Sequence, residues 1–250
     1  MRVGMLIVGD ELLSGKRQDK HLPKLIEILA ARGMSLSWAR MVGDDVELLT
    51  ANLRETLALG DIVFSFGGIG GTPDDLTRQC AAAAAGVEIT RHPEAVAILE
   101  ERFGAEAYPN RIRMAELPEG AALIPNPVNR VPGFSLGHHH FVPGFPNMAW
   151  PMVEWVLDTH YRDLFSDAPA VEQLLRVVGK PESDLIPLME SVLAQVPGIK
   201  LASLPSTTDR QLIELGVKGQ SQAVETAMAM LLQGLDALGA RWSRVQAPGA

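Results

Sequence analysis

The sequence predicts an α/β protein: a mostly parallel sheet covered by helices on both sides, followed by a smaller α+β unit. Three observations predict it. Apolar runs of strand length alternate with amphipathic stretches and short loops over the first two thirds of the chain. One of those runs, Ile62 to Phe66, leads straight into a glycine-rich turn with helix-start residues behind it. The composition then shifts at Ser166-Asp167-Ala168-Pro169-Ala170, a linker before a second set of elements.

Val3 to Val8 reads as a first buried strand and Gly9-Asp10-Glu11-Leu12-Leu13-Ser14-Gly15 as the loop after it. Pro23 must lie in the first turn of the next helix, which therefore starts near Lys20. That helix carries Leu22, Leu25, Ile26 and Leu29 on one face and stops at Gly33. Leu36 to Val42 is a second strand, followed by Gly43-Asp44-Asp45 and a helix with Val46, Leu49, Leu53 and Leu57 on its inner face. The third strand ends in Gly67-Gly68-Ile69-Gly70-Gly71-Thr72-Pro73-Asp74-Asp75. Glycines there leave no Cβ between backbone and ligand. Thr72 suits an N-cap, Pro73 the first helical position and Asp75 the acidic end of a capping box, for a helix running to Ala85 and ending at Gly86.

Val87 to Thr90 reads as a short strand, Pro93 to Phe103 as a helix, and Asn110 to Glu116 as a short helix with Arg111 and Arg113 in reach of a ligand or simply exposed. Ala122 to Ile124 is a strand, and Val131 to Leu136 with Phe141-Val142 a hairpin. Residues 138–140 are adjacent histidines, which point to alternate faces of a strand and so read as hairpin residues rather than a metal site. Pro143 to Pro146 is a rigid loop before a helix with Met152, Trp155 and Val156 inward. Beyond the linker the order is strand (Glu172 to Val178), helix (Ser183 to Gln195), strands (Ile199 to Ser203, Gln211 to Val217) and helix (Gln220 to Leu238), with Ser206-Thr207-Thr208-Asp209 as a polar loop. The expected domains are residues 1–165 and 170–250.

The 250 residues carry a formal charge of −8 with no basic run, so the electrostatic footprint of a nucleic-acid binder is missing. The single cysteine, Cys80, forms no disulfide within the chain and reads as a small buried apolar residue. No signal-peptide pattern opens the chain, and no apolar run approaches the ~20 residues of a membrane span. A cytoplasmic protein without a membrane partner is expected.

Strand, glycine turn and helix start together make a site for an anionic group. The acidic residues fall where strands end: Asp10 and Glu11, Asp44 and Asp45, Asp74 and Asp75. Ligands of open α/β sheets sit beyond those ends, so three distant carboxylate pairs are expected on one rim. Each pair alone reads as a solvated loop charge or a helix cap; their shared position is the stronger signal. Carboxylates beside a phosphate call for a hard divalent cation, Mg²⁺, Mn²⁺ or Co²⁺, held by Asp75, Asp74 and Asp10.

Six ordered stretches, Gly9 to Gly15, Gly67 to Thr77, Leu117 to Ala121, Pro125 to Val128, Pro132 to Phe134 and Val142 to Pro146, resemble the molybdopterin-binding (MoaB/Mog-like) domain in the branch of the competence-damage-inducible protein CinA. The same domain type precedes the synthetase part of animal FAD synthases. The resemblance covers residues 1 to 165; the remainder is similar to the small domain that follows in CinA-type proteins only in element order. It implies a three-layer α/β/α fold whose glycine turn binds a pterin or nucleotide phosphate. Relatives of this branch are credited with metal-dependent hydrolysis of ADP-ribose pyrophosphate, while Mog-type relatives bind molybdopterin and some adenylylate it. By motif match, Gly67, Gly68, Gly70, Thr72, Asp74 and Asp75 take the ligand-turn positions, with Asp10 and Glu11 on the neighbouring loop. Gly71 and Asp44 complete the expected binding set, and Glu11, Asp74 and Asp75 the expected catalytic set. The chain departs from the pattern at Gly71, where CinA has proline, at Met148, where the family has glutamate, and at Gln18-Asp19-Lys20. The amidohydrolase domain of longer CinA proteins is expected to be absent.

The expected function is metal-dependent hydrolysis of a nucleotide-sugar diphosphate. The alternative is a non-catalytic binder of molybdopterin or a nucleotide in cofactor assembly. A third reading makes the chain an interaction module, with the small C-terminal domain driving a homo-oligomer, dimer or trimer. On that third reading a truncation after residue 165 elutes from a sizing column as a smaller assembly than the full chain; an unchanged oligomer counts against it.

Overall fold

A computed structural model of the chain describes residues 1–166, 168, 170–206 and 212–245. Parts of the expected linker and of the Ser206 to Asp209 loop, the first residue of the strand expected at Gln211, and the last five residues of the second domain lie outside the described residues. The chain divides into two compact units, Met1–Phe165 and Ser166–Ala250.

In the first unit the elements run β1 (Val3–Val8), α1 (Asp10–Leu13), α2 (His21–Ala30), β2 (Leu36–Val42), α3 (Val46–Ala58), β3 (Ile62–Phe66), α4 (Thr77–Ala85), β4 (Ile89–Arg91), α5 (Pro93–Phe103), β5 (Glu116–Pro118), β6 (Ala122–Ile124), β7 (Gly133–Leu136), β8 (His139–Val142) and α6 (Pro146–His160). The main sheet has the order β2-β1-β3-β8-β7-β6. Strands β2, β1, β3 and β8 are parallel. The hairpin of β7 runs antiparallel to β8, and β6 antiparallel to β7. A separate two-stranded sheet pairs β4 with β5.

Three layers follow from the alternation of side chains along β1 and β3. Met5, Ile7, Phe64 and Phe66 face α2 and α6, where Leu25, Leu29, Met152 and Val156 complete one core. Leu6, Val8 and Val63 face the other way, onto Leu49, Leu53, Cys80, Ala81 and Leu99 of α3, α4 and α5. All these side chains are buried, and the runs of β1 and β3 are buried along their whole length, as a central parallel sheet requires. Cys80 is a free, buried thiol.

Several local expectations are corrected: Asp10–Leu13, read as loop, forms the short helix α1, and Ile26, read with Leu25 and Leu29, is exposed while Ile28 is buried. The helix expected from Pro73 begins at Thr77. Thr72 and Asp75 close a turn of their own, in which Asp75 accepts from the Thr72 N–H and hydroxyl and the Asp75 N–H donates to the Thr72 carbonyl. The acid reaches back as in a capping box, one turn before the helix. Val46 is exposed rather than inward. It is the first residue of α3, behind the Asp45 cap, and the buried stripe starts a turn later at Leu49.

The second unit comprises β9 (Val171–Val178), α7 (Glu182–Gln195), β10 (Lys200–Pro205), β11 (Leu212–Gly219), α8 (Ser221–Ala237) and β12 (Arg241–Val245). Its antiparallel sheet has the order β10-β11-β9-β12. Leu175, Val177, Leu215 and Val217 pack beneath Leu185, Val192, Val224 and Leu231. The elements expected from the sequence stop at the helix before β12. Four of the five residues of that strand are exposed, so it has no apolar alternation to announce it. Among the described residues no helix is long and apolar enough to cross a membrane.

The histidine run enters β8 from its first residue. His140 is buried; its Nδ1 lies 2.8 Å from the Ser135 hydroxyl and its Nε2 2.7 Å from the Tyr161 hydroxyl, which also meets His138 Nδ1 at 3.0 Å. His139 stacks on Phe141, and neither ring nitrogen has a partner within the described residues. Burial pushes both His139 and His140 down to about 3. Their folded values lie below the ordinary 6.5, so the stability they contribute is complete above that pH and is lost as pH falls toward 3. Thermal unfolding followed between pH 7 and 4 should therefore show a steep loss of stability. His139→Leu should flatten that slope, with its advantage over the wild type larger at pH 5 than at pH 7.

Candidate functional site

The strand order places a switch point between β1 and β3, and the loops that follow β1, β2, β3 and β8 meet at that end of the sheet. Glycine is required where they touch. A Cβ on Gly67 (φ 99°) would lie 2.4 Å from the Val8 carbonyl oxygen, and one on Gly68 (φ 67°) 2.2 Å from the Thr77 hydroxyl. The Gly67 N–H donates to the Val142 carbonyl at 3.0 Å, tying the turn to the end of β8.

The carbonyls of the turn are held from behind. The Thr77 hydroxyl donates to the Gly67 carbonyl at 3.0 Å and the Thr77 N–H to that of Gly68 at 2.9 Å. Arg78 is 2 % exposed. Its guanidinium donates to the carbonyls of Gly70 (2.7 Å), Glu116 (2.8 Å) and Arg113. Burial lowers the pKa of this guanidinium, and the charges of Asp75 and Glu116 oppose that shift. The amide N–H groups of Gly68, Ile69, Gly70 and Gly71, by contrast, have no acceptor among the described residues. Four successive N–H groups without internal acceptors, in a turn that lines the groove, are a candidate for an anion-binding concavity.

Those glycines line a groove of about 520 Å³ with Glu11, Asp44, Thr72, Asp74 and Asp75. The three strand-end acid pairs thus send members to one rim, with Asp45 diverted to cap α3. Asp10 and Asp44 brace two loops reciprocally. The Asp10 N–H donates to Asp44 Oδ2 at 3.0 Å, and the Asp44 N–H to Asp10 Oδ1 at 3.1 Å. Partial burial raises the pKa of Asp44, and the charges of Asp10, Glu11 and Asp74 push it further the same way. Asp75 holds Thr72 in the turn. Arg111 pairs with Glu106 and lies over the Phe103 ring, outside the groove lining, and Arg113 contributes its backbone carbonyl to Arg78.

Among the described residues no group of three or more His, Cys, Asp or Glu side chains is placed to hold a metal ion. Asp10 and Asp75, expected as ligands, each already accept hydrogen bonds from other loop residues. The acids do not fit a resident ion in an all-protein cage. A Mg²⁺-type ion that keeps most of its waters needs only one or two carboxylates.

Two residues escaped the reading of the sequence. Arg17 is the only Lys or Arg among the groove-lining residues, and nothing in the spacing of the loop singles it out. Arg78 had a signal: it shares the apolar face of Ala81 and Ala82 at helical spacing, an arginine where a buried residue belongs.

The family described as "probable molybdopterin binding domain" matches residues 4–162. The chain belongs to that family. A CinA-like protein of Anaeromyxobacter dehalogenans is 37% identical over 201 residues, covering 77% of this chain and 49% of the relative. A CinA-like protein of Escherichia coli is 31% identical, covering 98% of this chain and 65% of its own length. The chain thus spans about half the length of the first curated relatives it matches. A protein of Pyrobaculum calidifontis is 30% identical and matched over 89% of this chain and 88% of its own. Among solved structures, the CinA protein of Thermoplasma acidophilum, described as of unknown function, superposes with a TM-score of 0.58 at 26% identity, over 63% of this chain and 96% of that one.

Three variants check the groove. Arg78→Met leaves three carbonyls without their buried donor and should cost about 3 kcal/mol in urea unfolding, whereas the exposed Arg17→Met should stay within about 0.5 kcal/mol. Asp44 has a raised folded pKa, so its contribution is favourable below the carboxylate range and is lost as pH rises through it. Asp44→Asn, whose amide oxygen still accepts from Asp10, should melt higher than the wild type at pH 7, and the gain should vanish near pH 3.

Proposed function

We propose that the groove binds the diphosphate of a nucleotide sugar and hydrolyses it, in the manner of an ADP-ribose pyrophosphatase, with a divalent cation brought in by the ligand. The observation that carries this reading is the run of four amide N–H groups without internal acceptors, set opposite carboxylates at the same rim. The N–H groups donate to the phosphate oxygens and stabilise charge that develops on them as phosphorus is attacked. Glu11 takes the proton of the attacking water; the P–O bond between the two phosphates breaks, and each half leaves as a monophosphate. Phe103, Met114 and Phe145 give the groove an apolar wall for a flat ring. When bound, the cation would supply neutralisation of the phosphates and polarisation of phosphorus and water, with Asp74 and Asp44 as the residues that would hold it. The chain acts in the cytoplasm, as a homo-oligomer.

A second reading has its own support. Asp10, Asp44 and Asp75 are engaged in building turns, which is what a non-catalytic binder of molybdopterin or a nucleotide needs from them. Purified protein incubated with ADP-ribose and Mn²⁺ separates the two. Hydrolysis to monophosphates, reduced about 100-fold in Glu11→Gln and at least about 10-fold in Asp74→Asn, supports the enzyme. Equal rates in wild type and both variants remove it, and ligand-induced thermal stabilisation without turnover supports the binder.

A further inference from the structure

The four-stranded sheet of the second unit has two outer strands, β10 and β12. An outer strand offers one row of unpaired backbone N–H and C=O groups, which folded proteins blunt with lysine, proline or a bulge. Strand β10 is blunted in this way: it opens on Lys200 and closes on Pro205. Strand β12, Arg241-Trp242-Ser243-Arg244-Val245, carries neither lysine nor proline, and its register to β9 runs without a bulge. It leaves a large indole, that of Trp242, exposed at the open edge.

The register fixes which side chains share a face. Trp242 lies opposite Val177 and Arg244 opposite Leu175, so both stand on the side of the sheet that packs beneath α7 and α8. Arg241, Ser243 and Val245 stand on the other side. The indole is held by its own unit, with Nε1 donating to Asp236 Oδ1 at 2.8 Å. Arg244 Nη1 donates to Gln173 Oε1 at 3.0 Å, and the rest of its fork has no hydrogen-bond partner among the described residues. A second β12 laid antiparallel along this edge, with Ser243 on the two-fold axis, brings Trp242 opposite the partner's Arg244 and Arg241 opposite the partner's Val245. That register pairs all five residues of the strand and sets no like charges opposite each other. With Trp242 on the axis, Arg244 and Val245 stay unpaired; with Arg244 on the axis, two guanidinium groups face each other.

We infer that β12 is a self-association edge: a second copy of this chain pairs with it antiparallel about Ser243, joining two four-stranded sheets into one of eight strands. Each indole then lies beside the partner's Arg244, a cation–aromatic pair repeated on both sides of the axis. The pairing also occupies the free row of backbone groups on both copies. Five residues of strand make a small interface, so the dimer is weak and depends on concentration. The inference rests on the reading above only for the homo-oligomer, which it locates; it is independent of the chemistry of the groove.

Sedimentation velocity of the full chain tests this. The wild type at roughly 100 µM should contain a dimer that dissociates on dilution. Trp242→Arg keeps a donor for Asp236 but sets two pairs of like charges across the axis, and should weaken the dimer at least about 10-fold. Cysteine substitution reads the register, because the one native thiol, Cys80, is buried. Ser243→Cys should form a disulfide-linked dimer under mild oxidation, since its two Cα atoms face each other about 5 Å apart. Arg241→Cys should not, since its two copies lie about 14 Å apart along the strands. Linking of Arg241→Cys as efficient as that of Ser243→Cys overturns the contact, as does a dimer unchanged in a folded Trp242→Arg. If Trp242→Arg folds poorly, the two exposed cysteine positions still decide. A wild type that associates while none of these variants responds keeps the homo-oligomer and removes the edge; a wild type that is monomeric at the same concentration removes both.

Discussion

One buried cation holds the floor of the groove. Without the Arg78 guanidinium, the carbonyls of Gly70, Arg113 and Glu116 would converge on each other with no donor between them. With it, the glycine turn and the segment leading into β5 share one anchor, and Thr77 adds two more bonds from the adjacent residue. The turn is fixed from its carbonyl side, at Gly67, Gly68 and Gly70. That is the condition under which backbone dipoles are most effective. Replacing the arginine by a shorter cation would keep the charge and lose the fork that reaches three acceptors at once.

The rim above that floor is loaded with charge of the wrong sign for a phosphate. Glu11, Asp44, Asp74 and Asp75 line it, and the raised pKa of Asp44 records both its burial and the cost of their proximity. Some of this crowding is relieved by the loops themselves, through the Asp10–Asp44 exchange of backbone hydrogen bonds. What remains is a deficit of positive charge, with Arg17 as the only basic side chain in the lining. A site so arranged favours a ligand that brings its own counterion over a bare anion.

Much of the first unit was legible because parallel strands buried on both faces read as unbroken apolar runs: Val3–Val8 and Ile62–Phe66 stand out without any tertiary knowledge. The glycine turn was legible for a similar local reason. What the sequence hid were decisions made in three dimensions. The segment Thr72 to Asp75 carries every signal of a helix start, yet the turn closes on itself and the helix waits until Thr77, where the hydroxyl can reach Gly67. Asp45 carries the same charge as Asp44, and only the fold tells that one caps α3 and the other lines the groove. Strand β12 has exposed side chains on both faces, so only its pairing with β9 reveals it.

The Tyr161 hydroxyl, bridging His138 and His140, fastens β8 where it begins. Where β8 ends, the chain delivers the Pro143 to Phe145 loop to the groove and Gly144 to His21. A slip of one residue along β8 would turn His140 away from the tyrosine and present a different carbonyl to the imidazole. The bolt at the far end of this strand thereby sets the alignment of the ligand-facing loop, several residues away from anything a substrate could touch.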